Sequence, residues 1–143
     1  MNRTTERVKA LLQDIRQDTQ HYDALADLLQ QQRDAMIACD VTRTGEINQQ
    51  LLNIYQQLHG SAQRRSETLQ ALKLSSDSQG IMRLLPHLPE QVAQLASNWW
   101  HTLEARAITC QQLNERNGVL LTMQQETSNK ILHGETANFI YQR

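Results

Sequence analysis

The sequence predicts an all-α protein, an elongated antiparallel helical bundle or coiled coil of three long helices with a short helical turn before the third. Three observations lead to this fold class. Leu is the main apolar residue, and twenty Gln against five Gly and two Pro favour long helices. Aromatic residues make up only 4% of the chain, so typical strand formers are scarce. Apolar residues recur at three- and four-residue spacing over a length of 143 residues, which suits one domain covering 1–143.

The first helix is predicted over residues 4–38, where neither Gly nor Pro occurs. Its apolar stripe repeats every seven residues and is filled out by further Leu side chains. The repeating positions are Val8, Ile15, Tyr22, Leu29 and Met36, and the additional ones are Leu11, Leu12, Leu25 and Leu28. Thr4 or Thr5 is the expected N-cap, because a hydroxyl oxygen accepts hydrogen bonds from the first free backbone amides.

A turn over residues 40–45 and a second helix over 46–72 are predicted next. The apolar stripe of the second helix consists of Ile47, Leu51, Ile54, Leu58, Ala62, Leu69 and Leu72. The Ser-rich stretch 75–80 is small and polar, so we expect a linker there. A short helical turn over 81–86 follows, because Pro86 at its end and Pro89 beyond it prevent a longer helix.

The third long helix is predicted over residues 89–132, with Pro89 at its first position. At 1.5 Å per residue this helix is about 65 Å long, and the first is about 50 Å. Helices of such length shield their apolar stripes only along each other, so we expect them to pack antiparallel with short loops. Residues 133–143 are expected to form a flexible tail after a helix stop at Gly134.

Charge and cysteine content exclude several classes of protein. Fourteen Lys and Arg against fifteen Asp and Glu give a net charge of −1, which does not favour nucleic acid or anionic lipid as a partner. No stretch has the roughly 18 to 20 uninterrupted apolar residues of a membrane span, and the N-terminus lacks the apolar core of a signal peptide. We therefore expect a cytoplasmic protein without membrane insertion, in which Cys39 and Cys110 are reduced thiols.

The sequence contains no pattern typical of a catalytic or metal site. The five His residues never lie four apart, and neither Cys39 nor Cys110 has a second ligand at metal-binding spacing. The five Gly are solitary, so there is no phosphate-binding loop. We expect a non-enzymatic protein without cofactor or metal.

Polar residues interrupt the apolar stripe of the third helix. Asn114, Asn117 and Gly118 lie among Leu side chains, although Gly in a helix interior costs about 1 kcal/mol relative to Ala. Either the two amides satisfy each other inside a self-contained bundle, or another chain contacts this face closely. Trp99 and Trp100 are about 100° apart on the helix, so one is expected in the core and the other is a candidate partner contact.

This interrupted stripe resembles the C-terminal signature of FlgN-type flagellar export chaperones. The resemblance rests on Trp100, Leu113, Asn114, Asn117, Gly118, Leu120 and Leu121. The length near 140, the Gln-rich helices, the Ser-rich middle and the Leu-Pro pairs before the last helix are similar as well. The resemblance implies a chaperone that binds the C-terminal helical segments of the hook-filament junction proteins (FlgK, FlgL), with the six residues from Leu113 to Leu121 at the substrate-binding groove and Trp100 in support.

The resemblance also implies docking on the flagellar type III export gate. Members of this family often carry a Tyr-Gly pair in the tail that is tied to docking, whereas the comparable position here is His133-Gly134, with Tyr141 further along. His133 and Tyr141 are therefore the docking candidates. The alternative function is a structural coiled-coil oligomer with no client, and the chain is expected to be a monomer or a weak homo-oligomer.

Overall fold

A computed structural model of the chain describes residues 3–134, which are helical almost throughout and contain no strand. The α-helices are α1 (Arg3–Ile37), α2 (Val41–Ala71), α3 (Ser78–Leu84) and α4 (Glu90–Asn129). A 3₁₀ turn (Leu85–His87) separates α3 from α4, and a π-helical turn (Lys130–Gly134) continues α4. The predicted all-α fold class is confirmed.

The helix α1 lies in the middle and packs along both α2 and α4, whereas α2 and α4 approach each other at few points. Contacts pair the start of α1 with the end of α2, as between Asp14 and Arg64, so these helices are antiparallel. Contacts between α1 and α4 move towards the C-terminus of both helices at once: Asp23 pairs with Arg106, and Leu29 pairs with Asn117. Consecutive long helices are thus antiparallel as expected, and α1 and α4 run in the same direction.

The core consists of two apolar clusters along α1, and this helix contributes to both. The first cluster, near the start of α1, contains Leu11, Ile15, Leu69, Ile81, Leu84, Trp100 and Leu103. The second, near its end, contains Leu25, Leu28, Leu29, Ala35, Ile47, Leu51 and Cys110. The seven-residue stripe predicted for α1 therefore faces the core, because Ile15, Leu29 and Met36 are buried and Val8 and Tyr22 are half-buried.

A buried carboxylate lies on α1 between the two clusters. Asp18 is only 3% exposed and accepts hydrogen bonds from Ser61 Oγ at 2.7 Å and from the Arg65 guanidinium at 3.3 Å. Burial raises the pKa of Asp18, while the bond from Ser61 and the charge of Arg65 oppose that rise. Arg65 also lies over the ring of Trp100 on α4, 5.3 Å from its centre. Arg65 and Ser61 thus connect α2 to both other long helices.

The connection between α1 and α2 is shorter than predicted. Cys39 has φ of 55°, and its N–H donates to Met36 O while that of Asp40 donates to Ala35 O, the two bonds of a Schellman motif. The Asp40 carboxylate then accepts from Arg43 N, so α2 begins at Val41 and not at residue 46. The predicted turn over 40–45 is wrong because a side-chain cap at Asp40 outweighs the helix penalty of Gly45.

The segment predicted as a linker, residues 75–80, lies between a capped helix end and a capped helix start. Lys73, with φ of 62°, ends α2 in a second Schellman motif, in which Leu74 N donates to Leu69 O. Asp77 caps α3, which begins at Ser78, inside the predicted linker. Gly80 is buried where α3 contacts the backbone of Ser75: a Cβ there would lie 1.8 Å from Ser75 O.

Candidate functional site

Six of the seven signature residues, those from Leu113 to Leu121, lie in the second half of α4, which continues without a break through Asn117 and Gly118. The buried residues of α4 are Ala96, Trp100, Leu103, Cys110 and Asn117. Past Cys110, therefore, the only fully buried side chain of α4 is an amide. This part of the helix is held to α1 mainly by polar side chains.

Asn117 is the central contact of that polar attachment. Its Nδ2 donates to Leu29 O at 2.7 Å and to Gln32 Oε1 at 2.9 Å, both on α1. Gln32 Nε2 in turn donates to Asn48 Oδ1 on α2 at 2.8 Å. The Oδ1 of Asn117 has no hydrogen-bond partner among the described residues. Asn117 thus bonds to α1 and not to Asn114, which is exposed.

The neighbouring signature positions differ in their surroundings. Leu113 is half-buried and packs against the second cluster. Gly118 is exposed, and a Cβ added there would meet no atom of another described element within 4 Å. None of the described helices therefore requires Gly at this position, although Gly weakens a helix interior.

Leu120 and Leu121 line an open groove of about 740 Å³ between the start of α2 and the last turns of α4, beside the turn that joins α1 to α2. We call it the hairpin-end groove; its lining residues are Met36, Cys39, Asp40, Val41, Thr44, Gly45, Asn48, Leu120, Leu121, Met123, Gln124, Thr127 and Ser128. Three apolar side chains here are well exposed: Val41 by 84%, Met123 by 58% and Leu121 by 47%. Gln124 Nε2 donates to Met36 O at 2.9 Å and fixes the α4 wall to α1.

Sequence reasoning missed Val41 and Met123 as groove residues. Val41 was assigned to a turn, although Asp40 immediately before it is a strong N-cap residue and could have indicated the helix start. Met123 lies three residues after Leu120, which places it near the same helix face. The exposed apolar surface of the groove therefore extends beyond the signature residues.

Trp100 lies apart from the other six signature residues. It is 6% exposed within the first cluster, where its Nε1 donates to Ser78 Oγ at 3.1 Å. Asn117 follows 17 residues later, about 25 Å further along the helix. Trp99 is half-buried, with the Arg16 guanidinium 5.7 Å from its ring centre. Of the two Trp residues, Trp100 is thus the core residue.

A second apolar groove lies at the opposite end of the molecule and has a volume of about 570 Å³. We call it the far-end groove; it is lined by Thr4, Thr5, Val8, Lys9, Leu12, Leu72, Leu74, Leu84, His87, Leu88, Pro89 and Val92. A shallower neighbouring groove shares Leu12 and Val92 with it and adds Leu95, which is 52% exposed. Apolar surface is thus available at both ends of α4.

The two docking candidates fall at or beyond the limit of the described residues. The backbone of His133 belongs to the π-helical turn, and Tyr141 lies outside the described residues. None of the described helices is both long and apolar enough to cross a membrane. Within residues 3–134, no group of three His, Cys, Asp or Glu side chains has the arrangement of a metal site.

Comparison with known proteins gives one match. The family model described as FlgN protein matches residues 1–134 of this chain, which includes all three long helices and both grooves. No curated protein and no solved structure matches the chain.

Proposed function

Because the chain belongs to the FlgN family of flagellar export chaperones, we propose that its hairpin-end groove binds the C-terminal helical segments of the hook-filament junction proteins FlgK and FlgL. Binding of flagellar hook-associated proteins in general is what membership of this family implies. The site on α4, the two clients, the cytoplasmic location and delivery to the type III export gate are our proposal.

The observation that carries this proposal is the exposed apolar surface beside the signature. Val41, Leu121 and Met123 are well exposed around one groove, and Leu120 is half-buried there. Four Leu-sized anchors of a client helix, fully buried in this groove at the upper end of about 1.5 to 3 kcal/mol each, offset the roughly 2 to 5 kcal/mol needed to order a peptide. The difference corresponds to a micromolar dissociation constant, which suffices for a chaperone that must release its client.

A matched pair of variants tests where the client binds. Leu121 and Leu95 are Leu residues on the same helix with similar exposure, 47% and 52%, but they line grooves at opposite ends. Leu121→Asp should weaken binding of a FlgK C-terminal peptide at least tenfold by calorimetry, while Leu95→Asp leaves it unchanged. Both variants should keep the helical circular dichroism of the parent. If Leu95→Asp abolishes binding and Leu121→Asp does not, the client site lies at the other end.

Gly118 supports the proposal in a second way. Since no other element of residues 3–134 approaches it, we propose that the backbone of the client does so. Gly118→Ala should raise helix stability by about 1 kcal/mol yet weaken peptide binding severalfold. Gly60→Ala is the control, because Gly60 is also helical and a Cβ there meets only Arg64 at an ordinary 3.5 Å. Equal peptide affinity in both variants would contradict a close approach at Gly118.

The alternative, a structural coiled-coil oligomer without a client, makes a different prediction about mass. Light scattering after gel filtration should show a monomer that takes up one FlgK or FlgL peptide. An obligate oligomer whose mass and elution do not change with peptide would support the structural role instead.

Docking on the export gate is proposed for the tail, with His133 and Tyr141 as the candidate residues. Deleting residues 135–143 should leave peptide binding unchanged and reduce export of junction proteins in a motility assay. His133→Ala and Tyr141→Ala then show which position is needed. Normal motility in all three variants would remove the tail from the docking mechanism.

A further inference from the structure

Three amide side chains form a continuous chain of hydrogen bonds across the long helices. Asn117 on α4 donates to Gln32 on α1 at 2.9 Å, and Gln32 donates to Asn48 on α2 at 2.8 Å. We call Asn48, Gln32 and Asn117 the amide relay. Because an amide both donates and accepts, Gln32 bonds to both neighbours at once.

The relay connects two helices that have little direct packing of their own. The helices α2 and α4 approach each other at few points, and the last buried apolar side chain of α4 is Cys110. Asn48 lines the hairpin-end groove, and Leu120, which lines its opposite wall, follows Asn117 by three residues. The relay therefore connects the two walls of the groove through α1.

Stability alone does not explain an amide at position 117. Asn117 is 3% exposed, and its Oδ1 has no partner among the described residues. Burying such an acceptor is unfavourable, and replacing both partners of a buried hydrogen bond by apolar groups is often neutral or stabilising. A buried Asn in a coiled coil instead specifies register at a cost in stability.

We propose that Gln32 and Asn117 are positioning residues for client binding: through their bonds to each other and to Asn48 they set the spacing and register of the two groove walls without themselves touching the client. This inference rests on the proposed function of the hairpin-end groove. It assigns to Asn117, which the resemblance places at the client surface, a role beneath that surface. It also gives a role to Gln32, which lies outside the signature.

The test separates stability from affinity. In the double variant Gln32→Leu/Asn117→Leu, apolar side chains replace both partners, so urea unfolding should show unchanged or increased stability. Binding of the FlgK C-terminal peptide should nevertheless weaken at least tenfold, because the bond of Gln124 to Met36 O fixes the α4 wall to α1 but does not connect it to Asn48 on the α2 wall. Unchanged affinity in this stable variant would overturn the proposal.

A conservative variant and a control locate the effect. Gln32→Glu keeps an oxygen that accepts from Asn117 but loses the donor to Asn48, so it should weaken peptide binding by a smaller factor than the double variant. The control is Gln30→Ala/Arg116→Ala, which removes another bond between α1 and α4, from Arg116 to Gln30 at 3.1 Å, outside the relay. Its peptide affinity should be unchanged; a loss equal to that of the double variant would show that any contact between α1 and α4 matters, and not the relay.

A readout without the client keeps this inference distinct from the proposed function. Spin labels on Cys39, which is exposed, and on Ser128→Cys report the separation of the groove walls. The distance distribution should broaden in Gln32→Leu/Asn117→Leu relative to the parent. An unchanged distribution overturns the role of the relay even if the peptide binds. If the distribution broadens but the parent binds no junction peptide, the proposed function fails and the client-positioning role fails with it.

Discussion

Replacing Trp100 by Phe should reduce stability and leave client binding unchanged. The substitution removes the indole N–H bond to Ser78 Oγ, worth about 0.5 to 1.5 kcal/mol. It weakens the contact of the ring with the Arg65 guanidinium by up to about 1 kcal/mol, and the smaller ring leaves a void in the first cluster. We expect a total loss of about 2 to 3 kcal/mol. The hairpin-end groove is unaffected because Asn117 lies about 25 Å further along α4.

Urea unfolding followed by circular dichroism at 222 nm measures the stability change, and calorimetry with the FlgK peptide measures affinity under conditions where the variant is folded. Trp99 remains as a fluorescence reporter. A loss below about 0.5 kcal/mol would contradict the assignment of Trp100 to the core. A threefold loss of affinity corresponds to about 0.65 kcal/mol. A larger loss of peptide affinity in the folded variant would contradict the separation of Trp100 from the client site.

Three further changes test the fold. Gly80→Ala should cost about 2 kcal/mol or more in urea unfolding, because the new Cβ would lie 1.8 Å from Ser75 O; a neutral effect would refute this contact. Cys39→Gly should raise stability by about 1 kcal/mol by relieving a φ of 55°, and Cys39→Ala should give no such gain. For Asp18, the folded pKa is raised above the unfolded value of 3.8, so its contribution to stability increases as pH falls from 7 through the folded pKa towards 3.8. Asp18→Asn should lose that increase, and parallel pH curves for parent and variant would refute it.

Much of the fold could be predicted because long helices leave a clear periodic signal. The seven-residue stripe from Val8 to Met36 predicted α1, and its members are buried or half-buried. The start of α2 could not be placed by periodicity, since Gly45 and its neighbours are typical of turns. The local hydrogen bonds of Asp40, and the left-handed conformation of Cys39 beside it, decided that boundary.

The candidate site was less predictable because its residues are defined by neighbours on other helices. The signature predicted where α4 departs from a regular apolar stripe, yet it did not indicate that Asn117 bonds to Leu29 and Gln32. Gln32 lies in a run of three Gln on α1, and a polar run of that kind usually marks a solvated surface. Gln32 differs from Gln30 and Gln31 because it forms hydrogen bonds with side chains of both α4 and α2, and this becomes visible only once α1 is seen to pack between those two helices.

The central position of α1 also constrains how the chain folds during synthesis. The hairpin of α1 and α2 involves contacts close in sequence and is complete once residue 71 has emerged, but the side of α1 that receives α4 stays uncovered until Cys110 follows. At about 5 to 20 residues per second, those 39 residues take about 2 to 8 s to translate. For that interval the nascent hairpin exposes to solvent the apolar flank of α1 that α4 later covers, which is the period in which the unfinished chain is most prone to aggregate.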